Sequence, residues 1–223
     1  MPTATPAPTQ SASLDSVKAI SKASVGDYVT FGTYEQDNNL GNGAEAIEWL
    51  VLDKQDGKVL LLSKYALDAK PYNEEYTDVT WETCTLRSWL NSEFYRTAFS
   101  EKERGSIAET LVRSEDNPEY GTEGGNDTRD KVFLLSIEEV TTYFDSDPYA
   151  SDPARRAKVT EYAKAQGGGY AESDEYYGNG WWWLRSPGYG STYAAGISEK
   201  LSPFVFGSPV PGFRFAKPCG LRR

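Results

Sequence analysis

The 223-residue chain contains no histidine, two cysteines and one methionine. Lacking imidazole, it has neither the usual general base nor the commonest transition-metal ligand. Ser-His-Asp and Cys-His nucleophilic systems are therefore excluded. Cys84 and Cys219 stand too far apart in sequence to suggest a cysteine-rich zinc site. No apolar run approaches the length of a membrane span, and no secretory signal is visible. "GNG" and "GGG" occur, but neither lies in a phosphate-binding loop or a dinucleotide fingerprint. Cations are also scarce: 23 Lys and Arg face 33 Asp and Glu, a net charge of -10. That balance argues against a nucleic-acid or anionic-membrane surface, since binding phosphate needs clustered basic groups. Carboxylates abound, yet nothing in the pattern selects two of them as a hydrolytic pair.

What is present is aromatic. Fifteen Tyr and six Trp raise the aromatic share to 13%, within an ordinary 39% hydrophobic content. The opening "MPTATPAPTQSAS" reads as a Pro/Thr/Ala/Ser tether, so residues 1–16 are expected to be disordered, ahead of one α+β domain over 17–223. Such tethers often follow the lipidated or cleaved end of exported bacterial proteins. The expected location is extracellular or on the cell surface, with Met1 in place of a removed export signal.

Periodicity places the elements. "VGDYVTFGTYEQ" alternates as a half-buried strand, and "AIEWLVLDKQDGKVLLLSKYAL" reads as two strands joined by a turn at Asp56-Gly57. Leu86, Trp89, Leu90 and Phe94 recur at helical spacing. Ser100 with Glu103, and Ser136 with Glu139, have capping-box spacing. "KVFLLSIEEVTTYF" is expected to pass from a buried strand into a short helix, and a further helix to run from Pro153 to about Gly167. Glu115–Asp130 reads as an acidic loop. It could hold calcium through Asp116, Asp127 or Asp130, but it lacks EF-hand spacing, and a solvated loop is the simpler reading.

"GNGWWWLRSPGYGSTYAAG" is the most distinctive stretch. As a strand it puts Trp181 and Trp183 on one face and Trp182 on the other. At least one face must be core, because three exposed indoles would make an aggregating patch. Beyond the Arg-Ser-Pro-Gly turn, residues 189–213 mix Tyr and Phe with Gly, Ser, Thr and Pro. That mixture suits an adaptive binding surface, and equally a set of structural loops around a carboxyl-terminal strand.

"WWWLRSPG" followed by "GFRFA", with "TWETCTLRSWLNSEFY" and "DKVFLLSIEEVTTYF" upstream, resembles variable proteins of bacterial and phage diversity-generating retroelements. It is also similar to a related bacterial domain family ending WWLRSPG…GVRPAL, from which "GFRFAKP" departs. The resemblance implies a C-type-lectin-like fold of the formylglycine-generating-enzyme type, with short strands, two or three helices and long irregular loops. It implies a display protein without catalytic activity, cofactor or metal, whose variable region, 186–216, contacts a protein or cell-surface ligand. Retroelement mutagenesis leaves NNY codons, which never encode Trp, Glu, Lys, Gln or Met. Tyr189, Gly190, Thr192, Tyr193, Gly196, Ser198, Ser202, Pro203, Phe204, Phe206, Ser208, Pro209 and Pro211 satisfy that limit and form the expected ligand-binding set. Glu199 and Lys200 would be fixed positions. Trp182, Arg185, Phe213 and Arg214 would be scaffold, the two arginines bonding loop carbonyls from below.

Two other functions stay open: a carbohydrate-binding module stacking Trp181 or Trp183 on a fixed sugar, and, less favoured, a relative of the formylglycine-generating enzymes. Cys84 and Cys219 could form a disulfide in an oxidising compartment, stabilising the fold by roughly 4–5 kcal/mol. Two free, partly buried thiols are the alternative.

Overall fold

Asp56 and Gly57 both take positive φ, 52° and 73°. This is the geometry that lets a two-residue turn follow the twist of its flanking strands. The turn joins β2 (Glu45–Gln55) to β3 (Lys58–Ser63), and β1 (Tyr28–Tyr34) pairs antiparallel on the other side of β2. A computed structural model describes residues 17–144, 152–172, 174–198, 214–216 and 219–222. The expected tether lies outside the described residues. In β1 the register shifts between Thr30 and Thr33, and Gly32 sits there at φ 71°. A Cβ on Gly32 would stand 2.5 Å from the Ala98 carbonyl oxygen, so only glycine admits that helix.

Near the other end of the chain, β10 (Cys219–Arg222) pairs with β3 and completes a four-stranded antiparallel sheet, β1-β2-β3-β10. A second sheet has the order β4-β9-β7-β8, from Asp68–Lys70, Arg214–Ala216, Trp182–Pro187 and Ala194–Ile197. A ribbon of β5 (Thr110–Val112) and β6 (Thr128–Asp130) closes the base of the acidic loop. The helices are short: α1 (17–22), α2 (Thr85–Trp89), α3 (Tyr95–Ala98), α4 (Glu101–Arg104), α5 (Ile137–Tyr143) and α6 (Glu161–Ala165). Both expected capping boxes form, Ser100–Glu103 on α4 and Ser136–Glu139 on α5. One apolar cluster runs from Ile20 to Ile197 and draws on every one of these helices except α4 and on both four-stranded sheets. The fold is mixed α+β.

Three local expectations are corrected. Residues 132–135 are buried but form no strand, because side chains take up backbone groups at 131, 132 and 134 in place of a neighbouring strand. Asn91 Oδ1 accepts from the Lys131 and Val132 N–H groups, and its Nδ2 donates to the Val132 carbonyl. The same Asn91 stands inside a wider π turn (Leu90–Phe94) that links α2 to α3. The helix expected from Pro153 is instead a single 3-10 turn, Pro153–Arg155, followed by extended chain and then α6. The Val159 N–H donates to the Gly178 carbonyl, and the Ala66 N–H donates to that of Lys158. These long-range bonds hold the stretch extended where local propensity favours helix. The acidic loop, finally, is built rather than merely solvated, as its site geometry shows.

Asp68 is buried in β4, where Oδ2 accepts from the Tyr34 hydroxyl at 2.6 Å and Oδ1 from the Ala69 N–H at 2.7 Å. Burial outweighs those bonds and the nearby Lys70 charge, and raises the Asp68 pKa above the usual aspartate range. A raised folded-state value means the folded chain holds the proton where the unfolded chain has released it. This contribution to stability is present in full below the unfolded value, about 3.9, and is lost as pH rises through the folded one. Asp68→Asn is expected to flatten that part of the profile and to melt above wild type at neutral pH. Urea unfolding of both proteins between pH 3.5 and 7.5 checks this, and parallel profiles would refute it.

Candidate functional site

The Leu-Arg-Ser-Pro run in β7 is fastened at every residue after the leucine. The Arg185 N–H donates to the Leu135 carbonyl at 2.9 Å, and its own carbonyl accepts from the buried Tyr72 hydroxyl at 3.0 Å. Its guanidinium donates to the carbonyls of Arg113 and Leu134, at 2.9 and 2.8 Å, and forks onto both carboxylate oxygens of Glu139. Glu139 is the capping-box residue of α5, so one carboxylate ties a helix start to a strand. Ser186 Oγ accepts from the Ile137 N–H, and the Pro187 carbonyl accepts from the buried Asn117 amide at 2.8 Å. Asn117 Oδ1 meanwhile accepts from the N–H groups of Glu119 and Tyr120, which fixes the acidic loop beside the strand end.

The turn after β7 is closed by the Gly188 N–H donating to the Tyr193 carbonyl at 2.6 Å. A Cβ on Gly188 would stand 2.7 Å from that of Tyr193, so this approach requires glycine. Tyr189 and Tyr193 stack with centroids 4.2 Å apart. Tyr120 meets Tyr189 edge-on at 6.4 Å, and the Tyr76 and Tyr193 hydroxyls approach to 3.5 Å. Four tyrosines from three distant segments thus form one surface patch. Tyr76, Tyr120 and Tyr189 are 58%, 43% and 42% exposed, and Tyr193 is half-buried beneath them. Ser191 pins the turn to the 74–79 segment: its hydroxyl donates to Asp78 at 2.6 Å and its carbonyl accepts from the Val79 N–H. Desolvation, and after it the charge of Glu119, raises the pKa of the Tyr120 hydroxyl.

Of the expected contact set, Tyr189, Gly190, Thr192 and Tyr193 lie on this turn. Ser198 is half-buried just past β8, while Gly196 is buried inside β8 opposite Trp183. Gly196 is thereby removed from the contact face, because β8 is covered along its whole length. Ser202, Pro203, Phe204, Phe206, Ser208, Pro209 and Pro211 lie outside the described residues, as does the scaffold residue Phe213. Arg214 opens β9, in register with Lys70. Trp182 and Arg185 are buried scaffold, and Arg185 does bond loop carbonyls. The strand alternation needs correcting. Trp182 and Trp183 are both buried, since β7 lies inside its sheet with core on each face, and Trp181 precedes the strand at 37% exposure. Trp183 therefore cannot stack on a sugar.

Tyr76, Tyr120 and Asn117 carried no periodic signal. The only hint was a tyrosine after acidic residues in each of "NEEYTD" and "NPEYGT".

Other chemistry-bearing groups are committed to structure. Asp116 accepts from the Gly124 N–H, Asp127 from the Ser114 N–H, and buried Asp130 from Trp81, Thr128 and Arg87. The three carboxylates considered for calcium thus point to separate tasks. Oxygens of Glu35, Asp37 and Glu45 lie within 4.8 Å of one another, but they accept from N–H groups that shape the 35–42 turn. Cys84 is a free buried thiol rather than half of a bridge. It caps α2 by accepting from the Arg87 N–H and donates to the Trp81 carbonyl, and burial pushes its pKa up to about 12. A thiol so rarely ionised at neutral pH is a poor nucleophile.

Behind Arg185 a cleft of about 350 Å³ opens between the β2–β3 turn, β5 and α5. Glu115 and Glu138 face each other on its rim, and the Glu138 carboxyl is the main cause of the raised Glu115 pKa. The guanidinium on its floor is spent on protein acceptors, which suits a strut better than a substrate clamp.

These features define a mixed α+β domain with a stapled central strand and an exposed aromatic patch at that strand's end. Residues 56–202 match the family described as domain of unknown function DUF6273, and the chain belongs to that family. No curated protein and no solved structure matches the chain.

Proposed function

We propose that this chain is a ligand-binding display domain that holds a protein or cell-surface molecule without doing chemistry on it. The observation that carries the reading is the four-tyrosine patch on rigid support. Exposed tyrosines offer large contact area at little conformational cost, and Asn117, Gly188 and Asp78 fix the segments that bear them. A C-type-lectin-like scaffold outside the cell, with a surface diversified by a retroelement, is part of the same proposal. It is supported by the division at Pro187: the buried tryptophans precede it, and residues within the NNY limit follow it on the exposed turn.

The test is the triple variant Tyr76→Ala, Tyr189→Ala, Tyr193→Ala, screened beside wild type on peptide and glycan arrays. The expected result is a Tm close to wild type with array binding lost. Collapse of the fold would assign the rings to core packing, and retained binding would remove the patch. A near-copy of the 3′ coding segment with AAY codons at 189, 190, 192 and 193, beside a reverse transcriptase gene, is the expected genomic signature. A fixed carbohydrate ligand is the second reading, favoured by the partial exposure of Trp181. Loss of glycan binding in Trp181→Ala alone would select it.

A further inference from the structure

The patch has a charge as well as a shape. Its three segments, 74–79, 118–123 and 188–193, contain Glu74, Glu75, Asp78, Glu119 and Glu123, and neither lysine nor arginine. Rings of this chain do take cations: Lys64 lies over Tyr28 and Tyr65, Lys70 over Trp89, Lys131 over Tyr95 and Lys164 over Tyr170. The 76/120/189/193 cluster packs tyrosine on tyrosine, with Asp78 held by Ser191 and the Glu119 carboxylate against the Tyr120 hydroxyl. An aromatic face is the negative end of the ring quadrupole. Carboxylates at the rim add to the same potential and raise the encounter rate of a cation.

We propose that the occupant of this patch is an arginine-bearing segment of a partner protein; this deepens the reading of the patch as the binding face and rests on it. Arginine is favoured over lysine because a planar guanidinium stacks on a ring while its fork meets a carboxylate at the edge. Asp78 is held at the patch by Ser191, and Glu119 stands next to Tyr120 in sequence. A segment is favoured over a free amine because the rings spread over three loops instead of enclosing one point.

The experiment measures fluorescence anisotropy of labelled hexa-arginine, hexalysine and hexaglutamate peptides at 50 and 500 mM NaCl. Hexa-arginine is expected to bind best, hexalysine more weakly and hexaglutamate not at all, with binding weakened at high salt. Tyr120→Ala and Tyr189→Ala should each lower hexa-arginine affinity about two- to fivefold, the worth of one exposed cation–π contact. Asp78→Asn keeps the Ser191 acceptor and so leaves the fold in place; it should weaken binding comparably, while Glu101→Gln in α4 should change nothing. Equal loss in Glu101→Gln and Asp78→Asn would mean diffuse attraction to an acidic protein and would overturn the proposal. Failure of hexa-arginine to bind, with array hits on neutral glycans that Tyr189→Ala abolishes, would overturn the ligand class and keep the binding face. Failure of both would remove the face itself.

Discussion

Truncating Trp182 or Trp183 to alanine is expected to destabilise the fold by about 3–5 kcal/mol, while the same change at Trp181 costs under about 1 kcal/mol. Three adjacent, chemically identical residues should thus behave in two ways. Trp182 and Trp183 are buried from both sides, so truncation leaves a cavity that rigid neighbours cannot close. Each indole N–H is also used: Trp182 donates to the Arg155 carbonyl and Trp183 to that of Lys70, both at 3.1 Å. Tyr72 packs on Trp183 at 5.5 Å and bonds the Arg185 carbonyl with its hydroxyl, so loss at 183 spreads along the strand. For a chain of this length the core truncations should lower Tm by about 6–20 °C. Calorimetry of the three single variants decides it. Equal shifts at 181 and 183 would restore simple strand alternation.

Removing the Arg185 guanidinium is expected to cost about 3–5 kcal/mol, the scale for breaking a largely buried ion pair from one side. Arg185→Ala would leave Glu139 without its cation and the Arg113 and Leu134 carbonyls without their donor. Arg185→Lys should recover little, because a point charge cannot fork onto a carboxylate and reach two carbonyls at once. Glu139→Gln should cost less, since a neutral amide can still accept one bond and Glu139 is partly exposed. Chemical denaturation of the three variants gives the ranking Ala and Lys far below wild type, Gln between. A stable Arg185→Lys protein would show that charge alone, and not the fork, holds α5 to β7.

Both results bear on function through position. Arg185, Ser186 and Pro187 locate the strand end, and the strand end locates Gly188–Tyr193. If the staple loosens, the tyrosine patch should lose its geometry before it loses its side chains.

Features set by neighbours in the chain were legible in the sequence. The Asp56-Gly57 hairpin, both capping boxes and the helical block after Trp81 follow from turn chemistry and short-range periodicity. The class of the fold, mixed α+β, followed from the same signals. The absence of histidine by itself excludes imidazole chemistry from this chain.

What only the tertiary structure decided involves groups far apart in sequence. Asn91 replaces a strand neighbour for 131–132, so a stretch with strand composition forms no strand. Core packs on both faces of β7, burying Trp182 and Trp183 alike, and Trp181 lies before the strand, so the alternation of three tryptophans does not survive. Tyr76, Tyr120, Tyr189 and Tyr193 belong to three segments with no shared period, and they meet because Asn117, Gly188 and Ser191 draw those segments together. A sequence records which side chains can stack. Which ones do depends on long-range hydrogen bonds and core packing, and these exist only once the chain has folded.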